Sequence, residues 1–290
     1  MSLQLEYING INPPLPIDDG EVSFKFSYVD HSNNAEICTV IDRDGSKFRS
    51  VAKFKIKDDR ISILRKIKDI NDVDDKINSF FEDQFSILAK GHQRLLNLIL
   101  QELQIEEAHY LSSGSSRWSL DGNVWLPKHS KLSLRRERLI PLNKLNESWR
   151  LHLQNLLDSS EEPFLASIHL REAQRNLDDR FSWVQAAIAA ELAVKEALVR
   201  LEPRLEPLLN EVPSPPLSKL YGSLLKTYGG EKSPYVSKLQ KGAEIRNHLV
   251  HRILDRNFGN QETADYLSIV DQALRHLIIL CRNRPARERS

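Results

Sequence analysis

EVSFKFSYV, residues Glu21 to Val29, places Val22, Phe24, Phe26 and Tyr28 at every second position. Side chains two apart share one face of an extended chain, so the alternation predicts a strand with a single apolar face. FRSVAKFKI, Phe48 to Ile56, repeats the habit, and DHSN and DRDG supply the turns between these segments. Residues 20 to 66 therefore predict a small antiparallel sheet. From about Asp72 to Glu107 the period changes: Ile77, Phe80, Phe81, Phe85, Leu88, Leu95, Leu96 and Ile99 recur mostly every three or four residues, which predicts helix, divided at Gly91. SSGSSRWSLDGN, Ser112 to Asn123, lacks periodicity and is rich in Ser and Gly, so it reads as an exposed connection. The domain boundary is placed after it, which makes residues 1–140 an α+β domain.

Residues 141–290 read as nearly all helix, with spans at 143–158, 161–178, 180–201, 216–228, 235–255 and 261–282. Ser159 and Glu162 have capping-box spacing, prolines at 213, 215 and 216 separate two helices, Gly229 and Gly230 end the fourth, and Asn260 can cap the last. Short connections favour antiparallel neighbours, hence a helical bundle. The fold class predicted is α+β: a small N-terminal antiparallel sheet with helices, followed by an all-α C-terminal bundle.

Composition narrows the function. Lys+Arg number 41 and Asp+Glu 40, so no global charge draws the chain to nucleic acid or membrane and any attraction is local. An apolar fraction of 40% excludes global disorder. Cys38 and Cys281 lie far apart in the sequence and form neither a disulfide framework nor a zinc site, which fits a reducing cytosol. The start lacks the basic end and apolar run of a signal peptide, and no apolar stretch is long enough to span a bilayer, so a cytoplasmic location without membrane contact is expected. Phosphate-loop, dinucleotide, HExxH and GxSxG motifs are missing from the sequence, so no cofactor or metal is expected.

Two helices carry charges where apolar residues belong. Val236, Leu239, Ala243, Val250 and Ile253 make a heptad-like stripe whose remaining slot is Arg246. At about 100° per residue, Asn247 lies about 100° from Arg246 and His251 about 140°, so the three share one arc. The plainer reading is an arginine snorkelling out of the stripe beside an exposed histidine. On the helix at 180–201, Val184, Ile188 and Leu198 define a stripe interrupted by Glu191 and Lys195. Glu191 can receive Arg246 across the bundle, or pair with Lys195 at i, i+4 on a solvated edge. His248 falls about 200° from Arg246, on the outer side of the helix, and a metal site built with His251 lacks a carboxylate at ligand spacing.

RNHLVH, Arg246 to His251, follows an AAIAAELAVKEAL helix, and its Arg is the only one in the chain with a His five to seven residues later. With that context it resembles the signature of the HEPN family (higher eukaryotes and prokaryotes nucleotide-binding) over roughly residues 160–285. The resemblance implies metal-independent RNA cleavage at a cleft shared by two protomers, in a toxin or antiviral setting. His251 would exchange protons near neutral pH, Arg246 would face the charge growing on the phosphorane, and Asn247 would bind phosphate or ribose or orient His251. Glu191 and Lys195 would support them. RNA backbone would be held by Lys128, Lys131, Arg135, Arg136 and Arg138 of KHSKLSLRRER, or by Arg282, Arg284, Arg287 and Arg289 at the C-terminus, unless these runs are solvated flanks. Trp118 and Trp125 can stack on bases near the first run, although burial suits them better. The N-terminal domain is expected to meet a trigger or inhibitor protein. The rival readings are a bundle that binds RNA, a nucleotide or a protein without catalysis, and an adaptor whose helices only dimerise.

Overall fold

The computed structural model describes residues 2–10, 17, 20–30, 33–43, 45–55, 64, 75–103, 105–107, 114–128, 140–141, 144–176, 178–211, 214–251 and 260–283. The chain divides into two compact units, Met1–Pro163 and Phe164–Ser290, so the break falls beyond the expected boundary at 140.

In the first unit, β1 (Ser2–Gly10), β2 (Val22–Asp30), β3 (Asn33–Ile41) and β4 (Lys47–Lys55) are followed by helix α1 (Asp75–Glu102), then β5 (Ile105–Glu107), β6 (Gly114–Ser119), β7 (Leu126–Lys128), β8 (Ile140–Pro141) and helix α2 (Glu147–Asp158). Six of these strands form one antiparallel sheet in the order β2-β3-β4-β1-β6-β7, and β5 pairs with β8. The alternation works as predicted: Phe24, Ile37, Phe48, Ala52 and Leu5 point to one buried face, where α1 covers them with Phe85, Leu88 and Leu96. Each fully buried side chain of this size contributes about 1.5–3 kcal/mol. The α+β fold class with its N-terminal antiparallel sheet is thus present, and it extends further than expected. β1 lies outside the predicted segment, and Gly114–Ser119, read as an exposed connection, is a strand against β1 with Trp118 buried on Phe81 at 5.1 Å. Six residues with one large apolar side chain carry no period to read.

Gly91 does not divide α1. A Cβ there would lie 2.2 Å from Ile37 Cδ1, so its lack of a side chain lets the helix press against β3. Helix α2 belongs to this unit because Leu153, Leu156 and Leu157 join its core. The Gln154 amide also clasps β2, accepting from Lys25 N at 3.2 Å and donating to Lys25 O at 2.7 Å.

The second unit is all helix: α3 (Leu165–Arg175), α4 (Asp179–Leu201), a 3-10 turn (Pro203–Leu205), α5 (Glu206–Glu211), then α6, in which Leu217–Lys219 and Leu225–Gly229 flank a π-helical turn at Leu220–Leu224, then α7 (Val236–His251) and α8 (Asn260–Asn283). Gly230, at φ +93°, ends α6 as the glycine pair predicts. The capping box at Ser159 does not form. Ser159 closes α2 through its N–H to Asn155 O, and the N-terminus of α3 is held instead by Glu196 of α4, which accepts from Leu165 N at 3.0 Å. α4 is the central helix, where Ala186, Ala190, Ala193 and Ala197 are buried and let its neighbours approach closely.

Candidate functional site

The buried seam of α7 is Leu239, Gly242, Ile245 and Leu249, not the heptad stripe read from its apolar residues, and Val250 is 53% exposed. The reason is Gly242. A Cβ there would sit 2.0 Å from the Tyr266 ring of α8, so the helix turns its smallest residue toward its neighbour. Periodicity counts side chains and passes over a residue that has none. Arg246 therefore stands one step off the seam, half-buried, rather than in a core slot. It donates from Nη1 to Asn247 Oδ1 at 3.0 Å, and its Nε and Nη2 have no partner among the described residues. Asn247 and His248 are exposed, the latter as expected. His251 is the last residue of α7, and its side chain lies outside the described residues. The carbonyl of Leu249 accepts from Arg180 Nη2 at the start of α4.

Glu191 and Lys195 lie on the flank of α4 beside Val184 and Ile188, because the core face of that helix is its alanines. They form the i, i+4 pair, Nζ to Oε1 at 2.8 Å, with side chains 23% and 32% exposed for Lys195 and Glu191. Partial burial pushes the Glu191 carboxyl up. Hydrogen bonds from Lys195 and Ser214 and the charges of Lys195 and Arg246 outweigh it, so the group ends below its ordinary value. Arg246 thus reaches Glu191 through space, while the direct cross-bundle bond gives way to the pair within α4.

The Arg246 charge also acts through space on Tyr266. That phenol is 3% exposed and stacks on Trp183 with ring centroids 4.4 Å apart, and Trp183 donates from Nε1 to Gly242 O at 3.0 Å. Burial raises the Tyr266 pKa and the Arg246 charge draws it partly back. Its hydroxyl, and that of Thr263 one turn earlier, are buried and have no hydrogen-bond partner among the described residues. The site is thus a half-buried guanidinium acting through space on a partly buried carboxylate and on a phenol without a hydrogen-bond partner among the described residues. Tyr266, Ser214 and Gly242 escaped the sequence reading because nothing local marks them.

Of the basic run, Lys128 ends β7, where it pairs with Ser116, and its side chain, like Lys131, Arg135, Arg136 and Arg138, lies outside the described residues. So do Arg284, Arg287 and Arg289, whereas Arg282 is half-buried on α8. Trp125 is half-buried under Arg117, whose guanidinium lies 5.0 Å from the ring centroid. No family model, curated protein or solved structure matches the chain. Among the described residues no group of three or more His, Cys, Asp or Glu is placed to hold a metal ion, and no helix is long and apolar enough to cross a membrane.

Proposed function

We propose that the helical unit is a HEPN-like, metal-independent endoribonuclease acting in growth arrest or antiviral defence. The observation that carries this reading is Arg246: half-buried, steered by Asn247, flanked by Glu191 and Tyr266, and keeping Nε and Nη2 for a ligand. A guanidinium held in that way is a permanent cation for a phosphate. In the reaction His251 takes the proton from a ribose 2′-OH, the O2′–P bond forms, and the P–O5′ bond breaks as the leaving oxygen is protonated. The charge gathering on the phosphorane falls to Arg246. A homodimer completes the site, because one Arg and one His flank a phosphate on one side, whereas a two-fold axis supplies two of each. Phe181 and Val250, large apolar side chains left exposed at the start of α4 and the end of α7, suit such a contact.

Purified protein incubated with total RNA in EDTA tests the reading. Fragments ending in 2′,3′-cyclic phosphate and 5′-hydroxyl are expected. Intact RNA that nevertheless stays bound would favour the non-catalytic module.

A further inference from the structure

The face of the sheet turned away from α1 holds an arrangement that the helical site does not use. Glu6, in the middle of β1, has no exposed surface, although it lies on the face bearing Arg49, Lys53 and Lys25. It is covered by two arginines from the strands on either side: Arg49 of β4 donates from Nε to Oε1, and Arg117 of β6 donates from Nε to Oε2. A buried carboxylate needs a cation, and one would neutralise it. The second leaves the triad at net +1. Both guanidiniums spend their Nε on Glu6, and their terminal NH2 groups have no partner among the described residues. The Arg49 and Arg117 side chains are 54% and 41% exposed. Arg117 is further fixed against the Trp125 ring.

From these residues we infer that the open sheet face binds the phosphodiester backbone of single-stranded nucleic acid, with Arg49 and Arg117 as two forks pre-oriented by Glu6. End-on forks match paired phosphate oxygens, and the ordering cost of a guanidinium is already met in the fold. The occupant is a chain rather than a small phosphate because the cations spread over a flat face. Among the described side chains, Lys25 on β2, Lys47, Arg49 and Lys53 on β4 and Arg117 on β6 share this face with Glu6 and Glu36, five positive against two negative, which leaves +3. This inference is independent of the ribonuclease reading, and its probe is DNA, which has no 2′-OH to be cut.

The test is fluorescence anisotropy of labelled single-stranded oligo-dT with the full chain over a range of salt. The variant Glu6→Gln/Arg49→Gln/Arg117→Gln removes both forks together with the carboxylate, so no unpaired charge is left buried to unfold the sheet. Its affinity falls about tenfold or more, and its slope of log K against log salt becomes shallower by about 1.4, two contacts at about 0.7 each. Arg49→Lys/Arg117→Lys keeps the charge and loses the forks, and it too binds more weakly. Unchanged affinity and slope in the triple variant would overturn the proposal. Wild-type affinity in the lysine pair would replace the forks with diffuse charge, and equal affinity for dTMP and oligo-dT would replace the chain with a small phosphate; either result refutes the site as stated.

Discussion

Glu6 and Glu191 each lie inside a regular element with cations around them, and they are opposites in every other respect. Glu6 is sealed from water on the central part of a sheet and holds two guanidiniums. Glu191 is half-buried on a helix flank, where Lys195 and Ser214 serve it and Arg246 acts from a distance. A sealed carboxylate cannot exchange water for a lost partner, so its arginines are fixed in place. A half-solvated one can, so it holds the cation near it less firmly.

The sharpest way to break this contrast is at the helical cluster. His251→Ala lowers RNA cleavage by about 10²–10⁴-fold with the unfolding transition unchanged, and Arg246→Lys is strongly impaired despite its charge because the fork is lost. A fallen melting temperature in His251→Ala would make that residue part of the packing instead. At the sealed cluster the readout is stability: Glu6→Ala costs about 1.5–3 kcal/mol in urea unfolding, since two half-exposed arginines lose their anchor and a sealed side chain is removed.

The same unit offers a second sealed group. His92 is fully buried, with Nδ1 2.7 Å from Ser50 Oγ, which in turn lies 2.7 Å from Thr39 Oγ1, and burial lowers its pKa to about 4 from 6.5. Above pH 6.5 the imidazole is neutral in folded and unfolded chains alike. As pH falls, the unfolded chain takes up a proton that the folded one refuses until about pH 4, so stability drops across that window by about 3 kcal/mol. Urea midpoints measured from pH 7 to 4 show this slope in the wild type and lose it in His92→Gln; parallel curves would refute it. The smallest effect belongs to Glu191→Gln, under about 1 kcal/mol, because the pair is partly solvated and an amide still accepts a hydrogen bond. A cost equal to that of Glu6→Ala would erase the distinction between the clusters.

How far the sequence discloses all this depends on what each feature is made of. Val22, Phe24 and Phe26 show their strand because large side chains alternate, and α3, α4, α6, α7 and α8 begin within a few residues of their predicted places, whereas α5 has no predicted counterpart. β6 stays hidden because its Ser and Gly carry no period, and its strand state comes from pairing with β1. The charges at Glu191, Lys195 and Arg246 are conspicuous in sequence, but their depth is not. Depth depends on Gly242 and the alanines of α4, small residues whose meaning is set by what packs on them. Tyr266 and Ser214 reach Arg246 and Glu191 only through tertiary structure.

The Gln154 clasp on β2 has a consequence for life at high concentration. β2 is the last strand of its sheet, and such a strand ordinarily offers its free backbone groups to any passing extended chain. By engaging both the N–H and the carbonyl of Lys25, one side-chain amide stands where a seventh strand would begin, and α2 brings it there. At Lys25 the β2 edge is thereby closed to an incoming strand.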